Sequence, residues 1–247
     1  SRKNQHKAIQ MEDFYEAFDT MEFGKTGKKH SEEARKIAAY HEAGHALVHY
    51  LKNGSKNLLR VISIGRGNTG GLTFFSPDEE KMVSTEEDLM TRVCISYGGR
   101  CAEKIIFGHL STGPSSDIQH ATAIITSMVR QFGMSEKLGP LNFSPKIAML
   151  SVINESPDVR NKISEECIRI AKQCEEETMN LLNNNRDKLD KLAHYLMEHE
   201  SITGEEMDRQ MEAYKHEGFP THYGMYENSI LVRCNRDIET LNLMKAW

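Results

Sequence analysis

Several features that would direct a reading are missing from this 247-residue chain. Its five cysteines form no CxxC pair. Cys94 and Cys101 lie seven residues apart on a predicted helix, as do Cys167 and Cys174. Seven helical residues rise about 10 Å, too far for a disulfide within either pair. The expectation is small buried residues in a reducing compartment. No single-sign charge block occurs and the net charge is −5, so composition gives no reason to expect a nucleic-acid partner. No apolar run approaches the length of a membrane span. The N-terminus, SRKNQHKAIQ, is polar and unlike a signal peptide, and it lacks an initiator Met, as an excised fragment or a processed product would. Internal repeats are absent. What remains is 38% hydrophobic and 27% charged residues, the balance of a soluble, helix-rich protein with one large domain or two small ones.

The pattern predicts a short amphipathic helix over 10–22, then a Gly- and Lys-rich linker. Ser31 is a predicted N-cap, with Glu32 and Glu33 favourable in the first turn of a helix reaching about Lys52. Asn53-Gly54 ends it. Two strand-like runs, 58–64 and 71–75, flank the turn-rich GRGNTG and predict a hairpin. A capping box from Ser84 to Glu87 opens a helix to about Phe107, in which Gly98-Gly99 marks close backbone packing. Further helices are expected over 116–131, 157–183, 186–199 and 204–214, the middle pair as an antiparallel hairpin. Two near-motifs fail on context. Gly24-Lys25-Thr26 has Asp19 where a phosphate-binding loop needs Gly. Gly65, Gly67 and Gly70 have dinucleotide spacing but run into another strand rather than a helix.

The stretch 40–50, YHEAGHALVHY, carries the chemistry. His41-Glu42-Ala43-Gly44-His45 is an HExxH motif on a predicted helix. Two imidazoles one turn apart can both reach one Zn²⁺. The intervening Glu can take a proton from the attacking water without binding the metal. His49 lies about 12 Å of rise from His41, too far to share the ion, and is expected to be a packed or surface residue. An elongated motif would place a third His at position 51, which is Leu51. A catalytic zinc takes a third protein ligand, for which Glu103, His109, Asp117 and His120 are the downstream candidates. The segment 111–120 is the richest, and by spacing either Asp117 or His120 could serve.

YHEAGHALV, the strand pair ending GLTFF, YGGRCAEKIIFG and LSTGPSSDIQHATAIITSMVRQFGMSEKLGPLNF occur here in that order. In this order and spacing they resemble the protease domain of the FtsH family, membrane-anchored ATP-dependent zinc proteases. The resemblance is dense from Arg35 to Phe143 and continues more weakly through NNNRDKLDKLAHYLMEHESITGEEM. It implies a mainly α fold with a small β-hairpin or sheet, zinc held by His41, His45 and Asp117, and Glu42 as the catalytic base. It implies a hexameric ring acting on polypeptides, with ATP used by an ATPase module and the membrane reached through segments that this chain does not include. Residues 1–30 then read as the end of the ATPase lid helix and a linker, 31–217 as the protease domain, and 218–247 as a tail of unknown role. Ser144–Glu155 departs from the family pattern. The edge residues Gly71, Leu72, Thr73 and Phe74 are the expected substrate-pairing strand. An Asn- and Lys-rich flavour points to a mitochondrial or plastid membrane for the full-length protein, with the bacterial inner membrane as alternative. The competing reading is a non-catalytic oligomerisation module of an FtsH-like ring, motivated by the long helices of 157–199.

Overall fold

The structure, a computed structural model, describes residues 31–56, 58–63, 71–75, 83–144 and 156–216, together with Asp13 and Ala17. The expected helix over 10–22, the linker after it, the GRGNTG turn, residues 145–155 and the tail from 217 lie outside the described residues, those two positions excepted. In chain order the elements are α1 (Glu32–Asn53), β1 (Leu58–Ile62), β2 (Leu72–Phe75), α2 (Glu86–Phe107), α3 (Ser115–Arg130), α4 (Pro157–Asn183), α5 (Arg186–His199), β3 (Ser201–Thr203) and α6 (Gly204–His216). The fold is mainly α with a small antiparallel sheet. The chain divides into two compact units, Ser1–Met207 and Asp208–Trp247. The first unit carries the site. Of the second, only the continuation of α6 is described.

α1 begins where Ser31 Oγ accepts from the Ala34 amide at 3.2 Å. It ends at Gly54, whose φ of 70° a residue with Cβ rarely adopts. Every residue from Glu42 to His49 is buried. The helix is therefore enclosed rather than apolar on one face, with α2, α5 and the sheet around it. The closest crossing is with α2 and is made by glycine on both sides. A Cβ on Gly44 would stand 2.3 Å from the Gly98 carbonyl oxygen, and one on Gly98 2.7 Å from the Gly44 carbonyl oxygen. This accounts for two residues that weaken helices in isolation. Gly98→Ala separates the two effects by sign. Helix propensity alone would stabilise by up to about 1 kcal/mol. Overpacking against backbone that cannot yield should outweigh it, for a net loss of about 1–2 kcal/mol. Circular-dichroism melting is expected to show Tm lower by about 2–8 °C, and a rise would remove the contact from the account.

β1 is the central strand, paired antiparallel with β2 on one side and β3 on the other. Val61 stands opposite both Thr73 and Ile202. Among the described residues β2 thus lies at an edge of the sheet. The three residues of β3 carry too little pattern to announce a strand, and pairing with β1 makes them one. A capping box follows directly. Thr203 Oγ1 accepts from the Glu206 amide at 3.3 Å, and Glu206 Oε2 accepts from the Thr203 amide at 2.8 Å.

Two expectations change. The capping box of α2 sits one residue later than predicted. Thr85 Oγ1 accepts from the Asp88 amide and Asp88 Oδ2 from the Thr85 amide, at 3.2 and 2.9 Å. Ser84 and Thr85 are both good caps, and the Asp three residues after Thr85 decides between them. The helices 157–183 and 186–199 have the predicted bounds but do not form a packed hairpin. α4 packs on α2 and α3 while α5 packs on α1, so the turn at 184–185 sends them to different partners. Where the chain leaves α3, Ser135 and Lys137 bond the buried Glu166 of α4 at 3.1 and 3.0 Å and fasten residues 135–137 to that helix.

Candidate metal centre

His41 and His45 project from one face of α1, and Asp117 reaches them from the first turn of α3. The three donor atoms form a small triangle. His41 Nε2 lies 3.1 Å from His45 Nε2 and 3.2 Å from Asp117 Oδ2, and His45 Nε2 lies 3.5 Å from the same oxygen. Four donors at tetrahedral angles, each about 2.0–2.1 Å from one Zn²⁺, lie about 3.3–3.4 Å from one another. The triangle therefore has the size of one face of a zinc coordination tetrahedron. Two imidazole nitrogens and a carboxylate oxygen are also the donor chemistry that Zn²⁺ takes in catalytic sites. No other group of three or more His, Cys, Asp or Glu among the described residues converges in this way.

The far side of each ring is tied down. His45 Nδ1 donates to the Ile95 carbonyl at 2.7 Å. His41 Nδ1 donates to Glu103 Oε1 at 2.8 Å. Each bond turns its ring so that Nε2 faces the triangle, the nitrogen that would bind a metal once it carries no proton. Glu103 is only 2% exposed, and its other oxygen accepts from the Ser111 amide at 2.9 Å. One carboxylate thus orients His41 and fastens the loop that leads to Asp117. Room for the His41 ring comes from Gly99, where a Cβ would stand 2.5 Å from Cε1.

Charge is arranged to match. Burial disfavours the His41 cation, but hydrogen bonds to Asp117 and Glu103, with the charge of Glu42, outweigh it and raise the pKa to about 10. Asp117 is held far below the usual carboxylate range, because His41 and His45 overcome its partial burial. Glu103 is lowered as well, burial being outweighed by His41 and Ser111. The position between these carboxylates strongly favours positive charge. Glu42, on the same turn as His41, is buried, and burial pushes its carboxyl up despite the two histidines and a hydrogen bond from Thr73.

The remaining sequence candidates fall away from the triangle. His120 is exposed on α3. His109 is exposed and stacks on Phe107. His49 is buried, with Nε2 donating to the Lys56 carbonyl at 2.7 Å, and it closes the end of α1. Glu103, a candidate ligand by sequence, meets the outer nitrogen of His41 instead. Of the expected substrate strand, Gly71 and Thr73 lie beside Glu42, and the side chains of Leu72 and Phe74 lie outside the described residues. The orienting role of Glu103 and the contact of Thr73 with Glu42 have no sequence signal, since the partners are 62 and 31 residues apart. Gly98-Gly99 was the visible sign that something approaches α2 closely.

An HExxH helix joined by a carboxylate from a second helix defines a metallopeptidase. The chain belongs to peptidase family M41, whose model matches residues 28–210. It resembles the protease domain of proteins named ATP-dependent zinc metalloprotease FtsH. It is 36% identical over 209 residues to that of Caldicellulosiruptor bescii, covering 81% of this chain and 34% of the relative. It is 36% identical over 217 residues to that of Bacillus subtilis, covering 84% and 34%. It is 39% identical over 210 residues to that of Syntrophobacter fumaroxidans, covering 81% and 32%. The chain thus spans about a third of the length of these relatives. Membership makes it a peptide hydrolase. No helix among the described residues is long and apolar enough to cross a membrane.

Proposed function

We propose that this chain is the protease portion of an ATP-dependent zinc metalloendopeptidase that degrades unfolded or membrane proteins. The triangle of His41, His45 and Asp117 carries the reading, with Glu42 one residue from the first ligand. These three side chains would hold Zn²⁺, and zinc when bound would polarise the scissile carbonyl and acidify water. Glu42 accepts a proton from the attacking water and passes it to the leaving amine. Glu103 and the Ile95 carbonyl keep the two imidazoles turned inward. A polypeptide would pair along the β2 edge by main-chain hydrogen bonds. Residues 31–217 form the protease domain in this reading, 1–30 join it to an ATPase module, and 218–247 are a separate tail. The family match over 28–210 supports that division. Hexamer assembly and membrane attachment through other parts of a longer protein belong to the same proposal, as the resemblance to the FtsH family implies.

Metal removal tests the reading. Dialysis of the full-length protein against 1,10-phenanthroline should abolish casein hydrolysis, and zinc returned at one equivalent per chain should restore it. Undiminished hydrolysis by metal-free protein would refute it.

A further inference from the structure

β2 reaches the general base as well as the expected path of the substrate. Thr73 Oγ1 donates to Glu42 Oε2 at 2.7 Å. Glycine at 71 lets the strand come this near, because a Cβ there would lie 2.7 Å from Glu42 Oε1 and 2.9 Å from the Ile62 carbonyl oxygen. The terminal torsion of a Glu side chain is broad and intrinsically undirected, so a buried carboxylate takes its orientation from its donors. The Thr73 backbone is already fixed by its register opposite Val61 of β1. Its hydroxyl is therefore a donor on a rigid element.

We infer that Thr73 is a positioning residue for Glu42. It anchors Oε2 so that Oε1 is presented to the attacking water, and it ties the base to the strand along which substrate adds. The inference rests on the proposed role of Glu42 as base. Substrate pairing would use the backbone of β2, whereas the base uses the Thr73 hydroxyl, so the two roles of the strand separate experimentally.

Thr73→Val keeps the β-branched shape and removes the donor. In the full-length protein with an internally quenched peptide, kcat should fall about tenfold, the scale of a hydrogen bond to a charged group. KM should stay within about twofold, because ground-state binding is untouched. Zinc stoichiometry and equilibrium binding of a labelled peptide to the metal-free protein should match wild type, while Tm falls by a few degrees because the buried Glu42 carboxylate loses a donor. Thr73→Ser, which restores the donor, should recover kcat. In a Glu42→Gln background, Thr73→Val should cost nothing more, since residues acting as a unit are non-additive. A normal kcat in Thr73→Val beside an inactive Glu42→Gln overturns the role of Thr73 alone. So does a loss of peptide binding that matches the loss of kcat. Full activity in Glu42→Gln overturns the base assignment and this inference with it.

Discussion

Glu42→Gln in the full-length protein is expected to lower casein hydrolysis by about 10²–10⁴-fold, the range that a positioned acid–base group supplies. Zinc should stay bound at the wild-type stoichiometry, because Glu42 is not among the three converging donors. Gln keeps the volume of the side chain, and its amide oxygen can still accept from Thr73 Oγ1, now 2.7 Å from Glu42 Oε2. The cavity and the β2 contact therefore survive, and what is lost is a group able to take and return a proton. The change also removes a buried negative charge beside His41 and His45, both of which favour it. Parallel metal analysis by inductively coupled plasma separates the outcomes. Inactive protein with zinc supports the base role, inactive protein without zinc assigns Glu42 to metal retention, and casein digested at the normal rate refutes the mechanism.

The site was legible in the sequence where its geometry is local. His41, Glu42 and His45 lie within five residues on one helix, and 3.6 residues per turn fixes their relation before any packing occurs. The same rise separates His49 from them, and the structure gives that residue the Lys56 carbonyl. Of the four glycines at the site, Gly98 and Gly99 were visible as anomalies, poor helix formers inside a long helix, while Gly44 and Gly71 show their purpose only in the contacts they permit. What each one makes room for depends on tertiary packing. Asp117 and His120 could not be separated by spacing, because the choice turns on how α3 approaches α1 and on the loop that Glu103 fastens through Ser111. Family resemblance pointed to Asp117. β3 was hidden for another reason: its three residues take strand conformation from a ladder with β1 some 140 positions away, not from their own preference.

Asp117→Ala and Glu103→Ala should fail in opposite ways. Asp117 Oδ2 faces both inward nitrogens, at 3.2 and 3.5 Å, so its loss leaves two imidazoles and no third donor. Glu103 meets only the outer nitrogen of His41, so its loss leaves three donors with one ring less firmly held. Removing such an outer partner typically weakens metal binding about 10–100-fold, and removing a ligand should exceed that. The order reverses for the metal-free fold. Asp117 is 27% exposed, so its loss costs α3 about 0.3–1 kcal/mol of dipole interaction together with one partly solvated hydrogen bond to His41, at 3.2 Å. Loss of Glu103 leaves the Ser111 amide and the His41 ring without their acceptor, which costs about 1–3 kcal/mol. Competition titration against a chromophoric zinc chelator and thermal melting of the metal-free protein read the two quantities separately. Asp117→Ala should be worse in the first and Glu103→Ala in the second. If Glu103→Ala loses more zinc affinity than Asp117→Ala, the third ligand is Glu103, and α2 rather than α3 completes the centre.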